Sequence, residues 1–364
     1  MPTKIRPIAL YLPQYHPIPE NDEWWGKGFT EWTNTAKAKP LFKGHHQPNL
    51  PSELGFYDLR VSEVREQQAE LARSHGIEGF MYWHYWFAGK RILERPFKEV
   101  LASGKPDFPF CLGWANETWS GIWHGMKDKI LIEQTYPGKE DYENHFYEVL
   151  PAFKDKRYIT VNGCPLFLIY KPREIPECEK FMLIWRELAL KNGVKGIHFV
   201  GLSNNMGSET QEITKLGFDG VYLQRHFNAN QAINRKPFNK LKHTLWKKGL
   251  YKRDTKYGVF KYKEIIERMH GPEDSQTTIY PMILPNWDNS PRSGKNSMIF
   301  QNSTPELFRK HVKQVLGAVK DKPEEHRIVL IKSWNEWAEG NYMEPDLQYG
   351  RQYLEVLKDE LSKI

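Results

Sequence analysis

The sequence predicts an α/β protein, a closed (β/α)8 TIM barrel with a long first βα loop and a basic insertion after strand six. Three observations predict it. Short apolar, β-rich runs alternate eight times with amphipathic stretches, an order that returns each strand in the same direction and so pairs the strands in parallel. The length of 364 residues suits one large barrel, a fold that often needs about 250 residues or more. The alternative, an open doubly wound sheet, usually carries a glycine-rich phosphate turn after its first strand. Here Leu12-Pro13-Gln14-Tyr15-His16-Pro17 stands in that place, and neither GxGxxG nor GxxxxGK[ST] occurs in the chain.

The elements follow in order. Pro7 to Leu12 is the first strand, followed by a long loop and a helical stretch from Val61 to His75 in which Val64, Leu71 and Ala72 recur at helical spacing. Gly79 to Trp83 precedes a short helix at Phe97 to Ala102, and Phe108 to Trp114 precedes a helix at Tyr142 to Phe153. Pro165 to Tyr170 leads to a helix at Lys180 to Asn192, which Gly193 ends as a C-terminal cap. Ile197 to Gly201 leads to a short helix through Ile213 to Leu216. Gly220 to Leu223, Ile279 to Ile283 and Ile328 to Ile331 complete the strands, and helices near Tyr262 to Met269, Glu306 to Val319 and Tyr349 to Leu361 follow in turn. No solenoid repeat or low-complexity linker divides the chain, so residues 1–364 are expected to form a single catalytic barrel domain, with 226–262 as an inserted basic segment.

Composition narrows the function classes. A hydrophobic content of 40% with 27% charged residues is globular and excludes a disordered or fibrous chain. No apolar run approaches a bilayer span, and the first residues lack the long apolar core of a signal peptide, so no transmembrane segment is expected. Cys111, Cys164 and Cys178 are odd in number and lack CxxC spacing, which suggests neither a disulfide framework nor a zinc site and points to a reducing cytoplasm. The 13 Trp, 18 Tyr and 19 Phe are mostly core, but such residues beyond core needs line sites that stack the flat faces of sugars.

Active sites of this barrel lie at the C-terminal ends of the strands. The residues there read Tyr11 with Gln14-Tyr15-His16, Trp83-His84-Tyr85, Trp114 with Asn116-Glu117, Gln224-Arg225, Trp287-Asp288 and Asn335-Glu336-Trp337. Mixed aromatic and hydrogen-bonding groups at nearly every strand end suit a polyol pocket, so these residues are the candidate sugar contacts. His16 and His84 are taken as sugar contacts before acid/bases, because a lone histidine is more often a hydrogen-bonded pocket or core residue.

The strongest signal is Trp334-Asn335-Glu336-Trp337-Ala338-Glu339-Gly340 after the last strand. Glycoside cleavage uses two carboxyl groups, one protonated to assist the leaving oxygen and one ionised. An i, i+3 pair on one helical turn faces one side, and burial beside tryptophans together with a charged neighbour raises the pKa of one member. A solvated acidic loop is the competing reading, and the place after an apolar strand favours catalysis. Glu117 is the rival carboxylate, with a cap or a lysine pair as its alternative. Glu344-Pro345-Asp346 offers two carboxylates to a metal, but Pro345 suits the start of the last helix, and no metal or other cofactor is expected.

Between Arg235 and Lys263 stand 11 Lys/Arg and one acidic residue, Asp254, so this stretch carries +10 in a chain whose formal total is +7. Leu241, Leu245, Trp246 and Leu250 punctuate it as on an amphipathic helix. Two readings are open: a helix with its apolar face on the barrel and its charges in solvent, or a surface for an anionic glycan, a lipid-linked phosphate or a membrane. Nucleic acid is not an expected partner, because the charge is local and no recognition motif accompanies it.

Four segments carry a family resemblance: Ile8 to Pro17, Trp24 to Trp32, Tyr82 to Phe87 and Ser333 to Gly340. They resemble the WbsX-like proteins, described as glycosyltransferases of bacterial polysaccharide loci and also as glycoside hydrolase family 99-like, and the resemblance runs from about Ile5 to near the C-terminus. More distantly, Asn335-Glu336-Trp337-Ala338-Glu339 is similar to the Asn-Glu-Trp-x-Glu motif of family 99 itself, the endo-acting α-mannosidases and mannanases. That resemblance implies a (β/α)8 barrel and a retaining reaction without a metal in the chemical step. It further implies Glu336 as base on the sugar 2-hydroxyl, a 1,2-anhydro sugar intermediate, and Glu339 as acid and then base. Outside this motif the match to family 99 is loose.

The reading that follows is a glycoside hydrolase or transglycosylase acting on an oligo- or polysaccharide of a bacterial surface. A nucleotide-sugar glycosyltransferase of lipopolysaccharide biosynthesis is the alternative, although no Rossmann turn and no Asp-x-Asp accompanies it. A non-catalytic glycan-binding barrel is the third, and it has no need of an acid/base pair.

Overall fold

The computed structural model describes residues 4–121, 130–205, 207–234 and 258–364. Eight parallel strands close on themselves: β1 (Arg6–Tyr11), β2 (Gly79–Phe87), β3 (Phe110–Trp114), β4 (Cys164–Ile169), β5 (His198–Ser203), β6 (Gly220–Leu223), β7 (Ile279–Ile283) and β8 (Ile328–Ile331). Each pairs with its successor, and β8 returns to β1 in the register Arg6 with Ile328 to Ala9 with Ile331. Nearly every strand residue is buried, as expected of parallel strands covered by helices on the outside and filled by side chains within.

Outside the barrel, α1 (Ser62–Ser74), α2 (Arg95–Ser103), α3 (Lys139–Phe153), α4 (Cys178–Lys191), α5 (Ser208–Lys215), α6 (Tyr262–Ile266), α7 (Pro305–Val319) and α8 (Gln352–Leu361) follow the strands in sequence. The longest show why they form. In α7, Thr304 caps the backbone N–H of Leu307 at 3.3 Å, a proline opens the helix, and Phe308, Val312, Val315, Leu316 and Val319 recur on the buried face.

Three features depart from the sequence expectations. The long first βα loop is partly helical, with turns at Pro19–Trp25 and Glu31–Lys37 that periodicity over seven residues does not reveal. β2 runs on to Phe87 and folds back antiparallel onto Lys90–Ile92. Glu344-Pro345-Asp346 does not open the last helix, which starts at Gln352. Glu344 turns inward, and the Asp346 carboxylate accepts from Tyr342 Oη and the Gln348 and Tyr349 N–H groups, so both carboxylates serve the packing of the loop. Of the segment 226–262, residues 235–257 lie outside the described residues, so the readings of its basic charge and of the apolar face of Leu241, Leu245 and Trp246 do too. The described flanks are a helix at His226–Asn234 and a short strand at Val259–Lys261 paired in parallel with Ile299–Gln301.

Candidate active site

The chain leaving β8 is pinned to β1 before it presents any chemistry. Trp334 N donates to Leu10 O at 2.7 Å and Ser333 Oγ to the same oxygen at 2.9 Å. The Asn335 amide then brackets Leu12, accepting from its N–H at 2.8 Å and donating to its carbonyl at 3.0 Å. Asn335-Glu336 and Asn341-Tyr342 pair as a small antiparallel hairpin whose tip is the 3-10 turn Trp337–Glu339. Gly340 ends the turn at φ +62, and a Cβ there would stand 2.8 Å from Asp288 N, so position and conformation both require glycine. This hairpin holds Glu336 and Glu339 over the C-terminal mouth of the barrel.

Asn335 thus acts on the backbone. Truncating it to alanine leaves a buried N–H and a buried carbonyl unpaired, and Asn335→Ala is expected to lose about 2–4 kcal/mol of stability in urea unfolding. A loss below about 0.5 kcal/mol would mean that the clasp is replaced by water.

Both carboxylates open into a cleft of about 360 Å³ lined by Leu12, Gln14, Trp25, Phe29, Glu31, Trp83, Tyr85, Glu117, Trp119, Tyr170, Arg292 and Lys332 among others. Arg292, on a short helix at Ser290–Ser293 after β7, joins three acids. Its Nη1 lies 2.7 Å from Glu339 Oε1, its Nη2 lies 3.1 Å from Glu336 Oε2, and its Nε lies 3.2 Å from Glu31 Oε2. Lys332 Nζ is 4.0 Å from Glu339 Oε2 and stands over the Trp287 ring. Burial, reinforced by the charge of Glu339 against the pull of Arg292 and Lys332, pushes the Glu336 carboxyl up to about 7.

Of the candidates read from the sequence, Gln14, Trp83, Tyr85, Glu117, Glu336 and Glu339 come together in this cleft. Glu117 sits at its exposed rim, 3.5 Å from Lys171 Nζ. The others do not line it: most are packed in the surrounding structure and Asp288 borders a second cavity, so they take supporting places where sugar contact was expected. Tyr11 Oη donates to Gln68 at 2.6 Å, Tyr15 Oη to the Asn335 carbonyl, and His16 Nδ1 lies 3.0 Å from Pro13 O. His84 Nε2 meets His145 Nε2 at 2.7 Å, and burial holds both rings well below the usual histidine range. Trp114 Nε1 donates to Trp86 O, and Asn116 ties Tyr136 to the Lys171 backbone. Arg225 is bound to Glu273 and Asp274, while Gln224 and Trp287 are almost wholly buried. Asp288 accepts from Gln47 at 2.6 Å and lies 2.8 Å from His45 Nε2. Trp337 stacks on Tyr342 with ring centres 3.8 Å apart and donates Nε1–H to Glu344 at 2.6 Å.

Arg292, Glu31, Lys332 and the aromatic wall of Trp25, Phe29 and Trp119 were absent from the sequence candidates, whereas Tyr170, at the end of the fourth expected strand, also lines the cleft. Glu31 and Trp25 do lie within the Trp24 to Trp32 segment that carried the resemblance. A second cavity of about 370 Å³ lies beyond the 337–340 turn, between His45, Asp288, Ser303, Tyr342, Glu344 and Tyr349. Its acids are committed: Glu344 accepts from Tyr57 Oη, Gln68 Nε2 and Trp337 Nε1, and Asp288 and Asp346 are bonded as above. Among the described residues, no group of three or more His, Cys, Asp or Glu is disposed to hold a metal ion.

Glu344 offers a direct check on these electrostatics. Burial pushes its carboxyl, like that of Glu336, from 4.5 up to about 7. A carboxyl raised in the folded chain contributes stability that is complete below its unfolded value and is lost as pH rises through the folded one. At pH 6 the folded Glu344 holds a proton that the unfolded chain releases. Buried histidines take protons up on unfolding, so the comparison isolates the acid: Glu344→Gln is expected to release about one proton fewer per molecule at pH 6 than wild type. Calorimetric unfolding enthalpies in buffers of different ionisation heat measure this, and equal release by the two proteins would place Glu344 in the ordinary carboxylate range.

The site is thus a carboxylate pair, each member bonded to Arg292, inside an aromatic-walled cleft at the mouth of a closed (β/α)8 barrel. The chain belongs to the family described as glycosyltransferase WbsX, whose model matches residues 7–357. It is 36% identical over 358 residues to the uncharacterized protein WxcX of Xanthomonas campestris pv. campestris, strain B100, covering 98% of this chain and 49% of the relative. The chain therefore spans about half the length of the curated relatives it matches. In fold it is similar to a glycoside hydrolase-like protein, with a TM-score of 0.62 at 14% identity over 98% of this chain and 94% of that one. It is also similar to the GH99 endo-alpha-mannosidase from Bacteroides thetaiotaomicron, with a TM-score of 0.59 at 16% identity over 98% of both chains.

Proposed function

We propose that the chain cleaves or transfers a glycosidic bond within a bacterial surface polysaccharide, with retention and through a 1,2-anhydro sugar. The observation that carries this reading is the Glu336–Glu339 pair, held by one guanidinium at the floor of a cleft walled by Trp25, Trp83, Tyr85 and Trp119. In the first step Glu336 takes the proton of the sugar 2-hydroxyl, O2 attacks the anomeric carbon, the bond to the leaving oxygen breaks, and Glu339 protonates that oxygen. In the second, Glu339 takes a proton from water or a sugar hydroxyl as its oxygen attacks the anomeric carbon, the C1–O2 bond opens, and Glu336 returns the proton to O2. The geometry of an epoxide requires a 2-hydroxyl trans to the leaving group, as in an α-mannoside. The pair is an exception to the usual carboxylate nucleophile.

A base near 7 is strong enough to serve a hydroxyl yet ionised in a large fraction of molecules at neutral pH. The reverse assignment, Glu336 as acid and Glu339 as ion, is a second reading, favoured by the rise in Glu336 that burial causes.

This reading includes a reducing cytoplasm, in keeping with three free cysteines. No described helix is long and apolar enough to cross a membrane. Contact of the 235–263 stretch with an anionic glycan or a lipid-linked phosphate also belongs to the proposal.

The deciding experiment incubates the protein with the polysaccharide of its own locus, with and without nucleotide sugars, and follows the products by mass spectrometry. Shortened or rearranged glycan in the absence of nucleotide and in the presence of EDTA is the expected result. Turnover only with a nucleotide sugar and added Mn2+ or Mg2+ would establish the transferase instead.

A further inference from the structure

The two catalytic glutamates face a third acid that the reaction above does not use. Glu31 opens the short helix Glu31–Lys37 in the first βα loop, and its side chain is buried. Its Oε2 accepts the Nε–H of Arg292 at 3.2 Å and lies 3.2 Å from Nη2, so it sits against one edge of the guanidinium. Away from that edge, Nη1 donates to Glu339 and Nη2 to Glu336. Without Glu31, nothing among these contacts prevents the planar fork from turning to grip one catalytic glutamate bidentately, the arrangement a guanidinium and a carboxylate favour.

The charges point the same way. Glu336 is faced by Glu339 on its own turn, Arg292 from the loop after β7, Lys332 at the end of β8 and Glu31 from the first loop, with the phenols of Tyr15, Tyr85 and Tyr170 around them. Three carboxylates against two cations leave one negative charge in excess in a mostly buried site, and a bound proton removes the excess. An acid/base pair needs that one proton. With only Glu336 and Glu339 present, two cations would balance two anions, and burial and the mutual repulsion of the pair would be left to hold the proton without the third charge.

We propose that Glu31 is a positioning residue for the catalytic pair: it holds Arg292 edge-on so that each glutamate receives one N–H, and supplies the third negative charge that keeps one proton on the pair. The proposal rests on the catalytic reading of Glu336 and Glu339. Its test needs no substrate.

Protein carrying carboxyl-13C glutamate is titrated by NMR, with Glu336→Gln and Glu339→Gln assigning the signals. In wild type, one carboxyl of the pair is expected to titrate between about pH 6 and 8. In Glu31→Gln that midpoint should fall by roughly one unit or more, while Glu31→Asp, which keeps the charge, should stay nearer wild type. A wild-type pair fully ionised by about pH 5, or an unchanged midpoint in Glu31→Gln, would overturn the proposal. The wild-type titration decides the matter even if Glu31→Gln does not fold. On a cleaved glycan, Glu31→Gln should lower kcat with little change in KM and move the pH profile as far as the NMR midpoint. A shifted midpoint in a protein that processes no glycan would defeat the catalytic reading and leave the electrostatic role standing; turnover that depends on both glutamates, with no shift, would defeat this inference alone.

Discussion

Glu339→Gln is expected to lower turnover by about 10³-fold or more while leaving glycan binding within a few-fold, because the amide keeps the shape of the carboxyl and cannot exchange its proton. Glu336→Gln is expected to lose as much. What separates the two is the leaving group. An aryl glycoside with an acidic phenol departs without protonation, so the variant that lacks the acid should recover most of its first-step rate on it. The variant that lacks the base must still deprotonate O2, and should stay inactive on every leaving group. Recovery by Glu339→Gln supports the roles given above, and recovery by Glu336→Gln exchanges them. Activity of either variant within about tenfold of wild type on the natural glycan would remove that residue from the chemistry.

The barrel was legible because it is written locally: each strand is an apolar run, and all eight expected runs fall on the observed strands to within a few residues. The ExxE turn was legible for the same reason, since both acids sit in one short motif after β8. Arg292 was not, because what places it in the candidate site is its partners, Glu31 at a separation of 261 residues and Glu336 at 44. Only the closed barrel brings those loops together. The overlong list of sugar contacts has a different cause. Position at a strand end says that a residue is near the mouth, not which way it points. In β2, Trp83 and Tyr85 line the cleft, whereas His84 and Trp86 turn to the other face and pack on His145. The period of two along a strand carries that distinction and would have sorted them.

Arg292→Met tests whether the three acids are held together by this one cation. The substitution keeps an unbranched side chain of similar length, removes the guanidinium, and leaves Glu31, Glu336 and Glu339 with Lys332 as their nearest cation among the described residues. Removing one partner of a buried ionic cluster is expected to cost about 3–5 kcal/mol at pH 8, because uncompensated charge remains where water is scarce. The cost must shrink as pH falls. Without Arg292 the carboxyl groups bind protons more tightly in the folded chain than in the unfolded one, so their contribution is retained below the unfolded value near 4.5 and is lost as pH rises through the folded values. Urea unfolding of wild type and variant at pH 5 and pH 8 measures the difference. A cost that is the same at both values, or below about 1 kcal/mol at pH 8, would show that the acids are held apart by solvent and that Arg292 does not organise them. Arg292→Lys should fall between, since an ammonium supplies the charge and three donors, but they radiate from one nitrogen and cannot reach the three carboxylates along the spread, fixed directions of the planar guanidinium. If stability recovers in that variant and turnover does not, the directions matter to the chemistry more than the charge.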